Sequence, residues 1–218
     1  MASRAPLVPC HRIIIFGGVD MINLYSGTPG SGKSLYAAYD VIRWLERGKD
    51  VIANFPIDMG YFKPRKKIGN FVYLNNFALT VSFLKDYAKH HHKLGKESQT
   101  LIVVDECGVL FNSRTWDRAD RMEWITFFSQ HRKLGYDVLL ISQFDRMIDR
   151  QIRSFIETEY KFRNLRNYKS FGFLMSLLSG GCFVRVQYWY GQRIKLSSQI
   201  FRLHRKKAKI YDTMLLFE

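Results

Sequence analysis

The octapeptide Gly27-Thr28-Pro29-Gly30-Ser31-Gly32-Lys33-Ser34 constrains this chain more than any other feature of its sequence. It satisfies G-x-x-x-x-G-K-[ST] in full, between an apolar run, Met21-Ile22-Asn23-Leu24-Tyr25, and a stretch with apolar residues at helical spacing. The glycines let the backbone curl so that successive N–H groups converge on one phosphate, and the following helix adds partial positive charge. Lys33 is placed to bridge β- and γ-phosphates, and Ser34 to put its hydroxyl on Mg²⁺. Leu35, in the first turn of the helix, closes the nucleotide-binding set of residues 27–35. The bland alternative, a Gly/Ser turn beside an accidental lysine, arises on the order of once in a hundred chains of this length. The flanking strand and helix make it rarer still.

The rest of the chain alternates around that loop. Ser34 to Arg47 predicts a helix, with Leu35, Ala38, Val41, Ile42 and Leu45 at helical spacing and Gly48 as its stop. Asp50–Ala53 and Phe71–Tyr73 read as strands, Thr80–His92 as a helix, and Leu101–Val104 as a strand covered on both faces. A second good helix is expected over Asp120–Leu134, with Met122, Ile125, Phe128 and Leu134 inward, followed by Asp137–Ile141 as the last central strand. The fold class is therefore α/β, a mainly parallel sheet flanked by helices. Beyond about Asp149 the texture changes. Glu157–Arg166 and Cys182–Tyr190 alternate apolar and polar residues, as antiparallel strands with one wet face do. The chain divides into residues 1–20 (a leader, tag or upstream extension), a core over 21–160, and a basic β-rich appendage over 161–218.

Two further strand ends carry chemistry. Leu101-Ile102-Val103-Val104 delivers Asp105 at its carboxyl end, where open α/β sheets place ligands. Asp105 can hold Mg²⁺ through water, and Glu106 is the candidate that orients or deprotonates an attacking water. A pair of solvated acids in a strand-to-helix turn is the alternative. Val138–Ile141 leads to Gln143, which would face the γ-phosphate if its strand lies between those of residues 21–25 and 101–104; otherwise it caps a helix or a loop. A ring would call for an arginine acting across subunits. Arg114, Arg118, Arg121, Arg132, Arg150 and Arg153 are candidates, and Arg153 and Arg132 are the two selected.

Charge and cysteine usage narrow the classes further. The chain has 34 Lys+Arg against 19 Asp+Glu, a net +15, and twelve of those cations against two acids fall in 161–218. That favours phosphates, nucleic acid or an anionic membrane face. Cys10, Cys107 and Cys182 are an odd, widely spaced set with no CxxC, which supports neither a disulfide framework nor structural zinc and makes a reducing cytosol the default. The apolar run Phe171–Leu178 is too short to cross a bilayer. His90-His91-His92 is expected to be a frayed helix end rather than a metal site. The tract Arg202–Lys209 suits a phosphate or lipid headgroup, or is a solvated face. Tyr160, Phe162, Tyr168, Tyr188, Trp189 and Tyr190 interleave with Arg163, Arg166, Lys169 and Arg185, either to stack single-stranded DNA or to pack against the sheet.

Taken together, residues 21–34, Asn54-Phe55-Pro56, Val104-Asp105-Glu106-Cys107 and the run from Gln130 to Gln143 resemble the zonular occludens toxin family, the morphogenesis ATPases of filamentous phages. The resemblance spans Met21 to about Arg166 well and the basic tail loosely. It implies a P-loop NTPase of the RecA-like, additional-strand type, using ATP and Mg²⁺, on the cytoplasmic face of the inner membrane. A membrane anchor would follow the segment present here, so the chain is expected to be part of a longer protein. The implied work is virion assembly and export, with phage coat and assembly proteins as partners, a homo-oligomeric ring as the working form, and contact with single-stranded DNA as a further candidate. A DNA translocase acting on naked nucleic acid and a non-hydrolysing, nucleotide-dependent scaffold are the rival functions.

Overall fold

The computed structural model describes residues 22–62, 67–114, 119–167 and 181–211. Eight strands form one sheet. They are β1 (Ile22–Ser26), β2 (Asp50–Ala53), β3 (Phe71–Tyr73), β4 (Thr100–Val104), β5 (Tyr136–Ser142), β6 (Thr158–Asn164), β7 (Cys182–Trp189) and β8 (Ile194–Arg202), and their order across the sheet is β3-β2-β4-β5-β1-β6-β7-β8. The β3-to-β6 portion is parallel, and β7 and β8 add an antiparallel hairpin at one edge. The longer helices are α1 (Lys33–Glu46), α2 (Val81–His91) and α4 (Arg121–Gln130); one-turn α3 (Cys107–Leu110) and α5 (Arg150–Arg153) lie in the crossovers.

Alternation along the strands sends side chains to opposite faces and builds two cores. Ile22, Leu24, Ile102, Val104, Val138 and Leu140 face α2 and α4, whereas Tyr25, Leu101, Val103, Leu139 and Ile141 face α1. Because both faces are covered, β4 is buried at every position, as its uninterrupted apolar run requires. All the active-end loops then leave the same edge of the sheet, which places the loop after β1 beside those after β4 and β5.

Two expectations are amended. Strands β6 and β7 pair antiparallel as expected, but β6 is also parallel to β1 on its other side, with Asn23 opposite Thr158 and Ser26 opposite Lys161. The crossover from 143 to 157 returns the chain to the starting edge of the sheet, so the next strand must run the same way as β5. The boundary at 160/161 consequently falls inside β6, and the basic segment continues the core sheet. The second correction is the face of α4. Trp124, Phe127 and Phe128 are buried against Phe111 and Tyr136, while Met122 is 62% exposed. Bulky rings at i, i+3 and i+4 displace the methionine from the inward stripe.

The aromatics set among the basic residues divide: Phe162 is buried in the core, whereas Trp189 is 49% exposed. The buried Arg185 guanidinium lies 4.4 Å from the Tyr36 ring and 4.7 Å from Tyr160, and donates to Gln199 Oε1 at 2.6 Å. This stack ties the β7–β8 hairpin to α1. Tyr168 and Lys169 lie outside the described residues.

The histidine triplet is structural as well. His91 stacks on Tyr87 at 4.2 Å. His92 Nδ1 faces the Leu134 carbonyl, which can only accept, so Nδ1 carries the proton and Nε2 accepts from Thr100 Oγ1 at 2.7 Å. Burial lowers the His92 pKa, against the raising effect of the Leu134 carbonyl. The folded state then binds fewer protons than the unfolded chain below the ordinary histidine value of about 6.5. Stability is expected to be complete above pH 7 and to fall as pH drops through 6.5 toward the depressed folded pKa. Melting temperature followed from pH 7.5 to 5 checks this, and His92→Gln is expected to flatten the slope.

Candidate nucleotide site

Strand β1 is buried almost to its end and releases the chain at Ser26, after which residues 27–32 loop back into α1. Gly30 and Gly32 have φ of +71° and +93°, values that side-chain-bearing residues rarely adopt. Gly32 caps α1 without any side-chain hydrogen bond, so the first-turn amides of this 14-residue helix keep their donors for a ligand. Thr28, Pro29 and Gly30 are exposed at the rim, and Asn164 Nδ2, at the end of β6, donates to Gly30 O at 3.2 Å. Beneath them Ser31 is 1% exposed, and its Oγ is buried with no hydrogen-bond partner. An orphaned hydroxyl inside a ring of amides fits a phosphate oxygen. Leu35 is half-buried and packs on the α1-side core.

Lys33 folds back over the loop, with Nζ donating to Gly27 O at 2.7 Å and Thr28 O at 3.2 Å. Burial lowers its pKa, partly offset by the charges of Asp105 and Glu106. Ser34 Oγ donates to Asp105 Oδ2 at 3.0 Å. A hydroxyl and a carboxylate thus converge beside the loop, the pairing a phosphate-bound magnesium needs. Among the described residues no cluster of three His, Cys, Asp or Glu side chains could hold a metal alone.

Asp105 is held on several sides. Asn54, just after β2, donates from Nδ2 to the Asp105 carbonyl at 2.8 Å and accepts the Asp105 amide on Oδ1 at 2.6 Å. Oδ1 of Asp105 accepts the Glu106 amide at 2.8 Å, and Oδ2 accepts the Tyr211 hydroxyl at 2.7 Å. Burial, then the Asp105 charge, pushes the Tyr211 pKa up, so the phenol remains a donor. Glu106 is exposed and held at φ +47° ahead of α3. A left-handed non-glycine residue beside a phosphate loop is a strained position of the sort that marks functional sites.

Strand β5 lies between β4 and β1, the condition set for Gln143. The Gly27 amide donates to the Gln143 carbonyl at 3.3 Å, and Gln143 lines a cavity of about 240 Å³ with Gly27, Thr28, Glu159, Lys161 and Arg163. Glu159, 5% exposed, accepts Ser26 Oγ at 2.6 Å and lies 3.5 Å from Lys161 Nζ. Arg153 Nη1 reaches the carbonyl of Asp145 at 3.5 Å, and Asp145 lines the same cavity as Gly27 and Gln143. Arg132 precedes β5 and sits at the opposite edge of the sheet. Of the other candidates, Arg121 pairs with Asp149 at 3.0 Å, and Arg118 is outside the described residues.

Asn54, Glu159, Asn164 and Tyr211 went unassigned from sequence. Asn54 and Asn164 could have been found, because each is at or just past the carboxyl end of a parallel strand neighbouring the site.

A parallel sheet with this loop after its first strand, an acid after the strand two places away and a polar amide after the one between them defines the P-loop NTPase class. Comparison with solved structures agrees on the fold. The N-terminal domain of zonular occludens toxin from Neisseria meningitidis superposes with a TM-score of 0.56 over 89% of this chain and 100% of that one, at 16% identity. The genome packaging NTPase of Sulfolobus turreted icosahedral virus 2, solved in complex with ATP-gammaS, gives 0.50 over 85% and 98%, at 15% identity. The family model for zonular occludens toxin (Zot) matches residues 21–209, and the chain belongs to that family. The Gene 1 protein of Enterobacteria phage I2-2 is 31% identical over 165 residues, 73% of this chain and 45% of that protein, so the chain spans less than half the length of that relative.

Proposed function

We propose that this chain is the Mg-ATP-hydrolysing motor domain of a phage assembly protein. It would work as a homo-oligomeric ring at the cytoplasmic face of the inner membrane and power export of filamentous virions. The observation that carries the hydrolytic part is the 3.0 Å approach of Ser34 Oγ to Asp105 Oδ2 beside a loop whose amides and buried Ser31 hydroxyl await an anion. The phage relatives and the family support the setting. No helix among the described residues is long and apolar enough to cross a membrane.

In this reading the loop amides and Lys33 bind the β- and γ-phosphates. Ser34 and, through water, Asp105 would hold magnesium, which supplies charge neutralisation at the phosphate oxygens when bound. Glu106 orients or deprotonates the attacking water from its strained, solvent-facing position. Gln143, hydrogen-bonded through its carbonyl to Gly27, reports the γ-phosphate to the loop.

Glu106→Gln tests this directly. The wild-type chain is expected to hydrolyse ATP only with Mg²⁺. The variant should keep nucleotide affinity and lose about 100-fold or more in turnover, the scale of a missing general base. Equal, measurable rates would remove Glu106 from the chemistry, and nucleotide binding without turnover in either protein would leave a scaffold. Stimulation of the wild type by naked single-stranded DNA, falling steeply with salt, would favour a translocase instead.

A further inference from the structure

The segment after β8 reaches the metal-side carboxylate at Tyr211, an arrangement that neither the motif nor the sheet requires. From Arg202, at the loop edge of the sheet, the chain crosses α1. The Leu203 amide donates to Gly181 O at 3.1 Å, the His204 amide to the Tyr39 hydroxyl at 2.8 Å, and the Ile210 carbonyl accepts the Asp58 amide at 3.0 Å. Ile210 is 1% exposed, and the Tyr211 ring meets Phe55 edge-on at 4.7 Å. The path therefore bridges the two flanks of the phosphate loop, from the β7–β8 hairpin to the chain after β2.

We propose that Tyr211 is a positioning residue for Asp105, and that the strap over 203–211 thereby sets how strongly magnesium raises nucleotide affinity. The inference rests on the nucleotide reading of this site. An ionised carboxylate offers about four acceptor directions. On Asp105 the Glu106 amide takes one on Oδ1, while Ser34 Oγ and the Tyr211 hydroxyl share Oδ2. When the Ser34 hydroxyl turns to a metal, Tyr211 is the donor that still fixes Oδ2 and so the rotation of the carboxylate. Packing alone does not explain the contact. A phenylalanine would fill the place beside Phe55 equally well, and the phenol instead directs its one donor at the acid. Partners that orient a directly ligating side chain typically change metal affinity by about 10- to 100-fold when deleted; with a water between Asp105 and the ion, the lower end of that range applies.

The test uses the 218-residue chain with a fluorescent ATP analogue, titrated in excess Mg²⁺ and in EDTA, together with the Mg²⁺ half-saturation point at fixed nucleotide. Tyr211→Phe is expected to leave the EDTA affinity unchanged, to cut the Mg²⁺ enhancement by about 10-fold and to move half-saturation to higher Mg²⁺. Tyr211→Ala should do the same and also lower the melting temperature through the lost Phe55 contact. An unchanged enhancement in Tyr211→Phe would make the residue a packing element and overturn the proposal. A larger enhancement would overturn it too, by showing that the hydroxyl competes with the ion. Wild-type chain that binds no nucleotide in either condition would take down the underlying reading and this inference with it; wild-type binding that Lys33→Ala abolishes isolates the Tyr211 result.

Discussion

Lys33→Ala is expected to lower ATP affinity by about 100-fold or more and to abolish hydrolysis, while the melting temperature stays within about 2 °C of wild type. The asymmetry follows from where the ammonium sits. It is 8% exposed, it donates to the Gly27 and Thr28 carbonyls of its own loop, and burial already lowers its pKa. The folded protein thus bears a desolvation cost for this charge that a bound phosphate would offset. Removing the side chain relieves that cost, and water can reach both carbonyls at the loop rim. What disappears is a charge-assisted donor to phosphate, worth about 1.5–3 kcal/mol for each bond it would make. Isothermal titration with ATP and a thermal melt on the same preparation check both halves. A variant that binds like wild type would mean that the loop does not grip a triphosphate; one that fails to fold would mean that Lys33 is a core residue.

How far the sequence foretold this site depends on whether a feature is local. Asp105 follows the uninterrupted run Leu101–Val104 and Gln143 closely follows Val138–Ile141, and a run of Leu, Ile and Val buried on both faces has few other structures open to it; the octapeptide follows the mixed strand β1 and is legible from its own pattern. Their mutual placement then follows from the carboxyl-edge rule for parallel sheets. Strand β6 was visible as a strand, but its direction was not. The alternation Tyr160-Lys161-Phe162-Arg163 is the same whichever neighbour it pairs with, and only the crossover through α5 decides. On α4 the inward stripe is narrower than an i, i+3, i+6 reading allows: Trp124, Phe127 and Phe128 lie within one face, and Met122, about 120° round from Phe128, falls outside it. Tyr211 had no sequence signal at all. It meets Asp105 across 106 positions of chain, through a strap whose composition looks like a solvated basic tail.

That β6 belongs to the core sheet has its largest consequence at Gly27. This residue has φ +146°, and a Cβ built on it would stand 2.5 Å from the Phe162 carbonyl oxygen and 2.8 Å from Ser31 Oγ. The hydroxyl can rotate away. The carbonyl cannot, because it is the backbone of β6 at the place where Phe162 is buried and where Ser26 and Lys161 face each other in the parallel ladder. Gly27→Ala must therefore pull β6 from β1 or twist the loop out of its curl. Backbone strain of about 1–3 kcal/mol adds to overpacking of about 1–3 kcal/mol. For a chain of this size a loss of about 3 kcal/mol lowers the melting temperature by roughly 6–12 °C. Nucleotide affinity should fall with it, since the Gly27 amide is fixed to Gln143 and its carbonyl to Lys33. Gly30→Ala is the control within the same loop. Its φ of +71° is also left-handed, but nothing lies within 4 Å of the added carbon, so only about 1 kcal/mol of conformational strain is at stake. Thermal melts of the two variants side by side separate steric pressure from β6 from the general cost of an alanine at positive φ. Equal, small shifts would show that the sixth strand exerts no pressure on the phosphate loop.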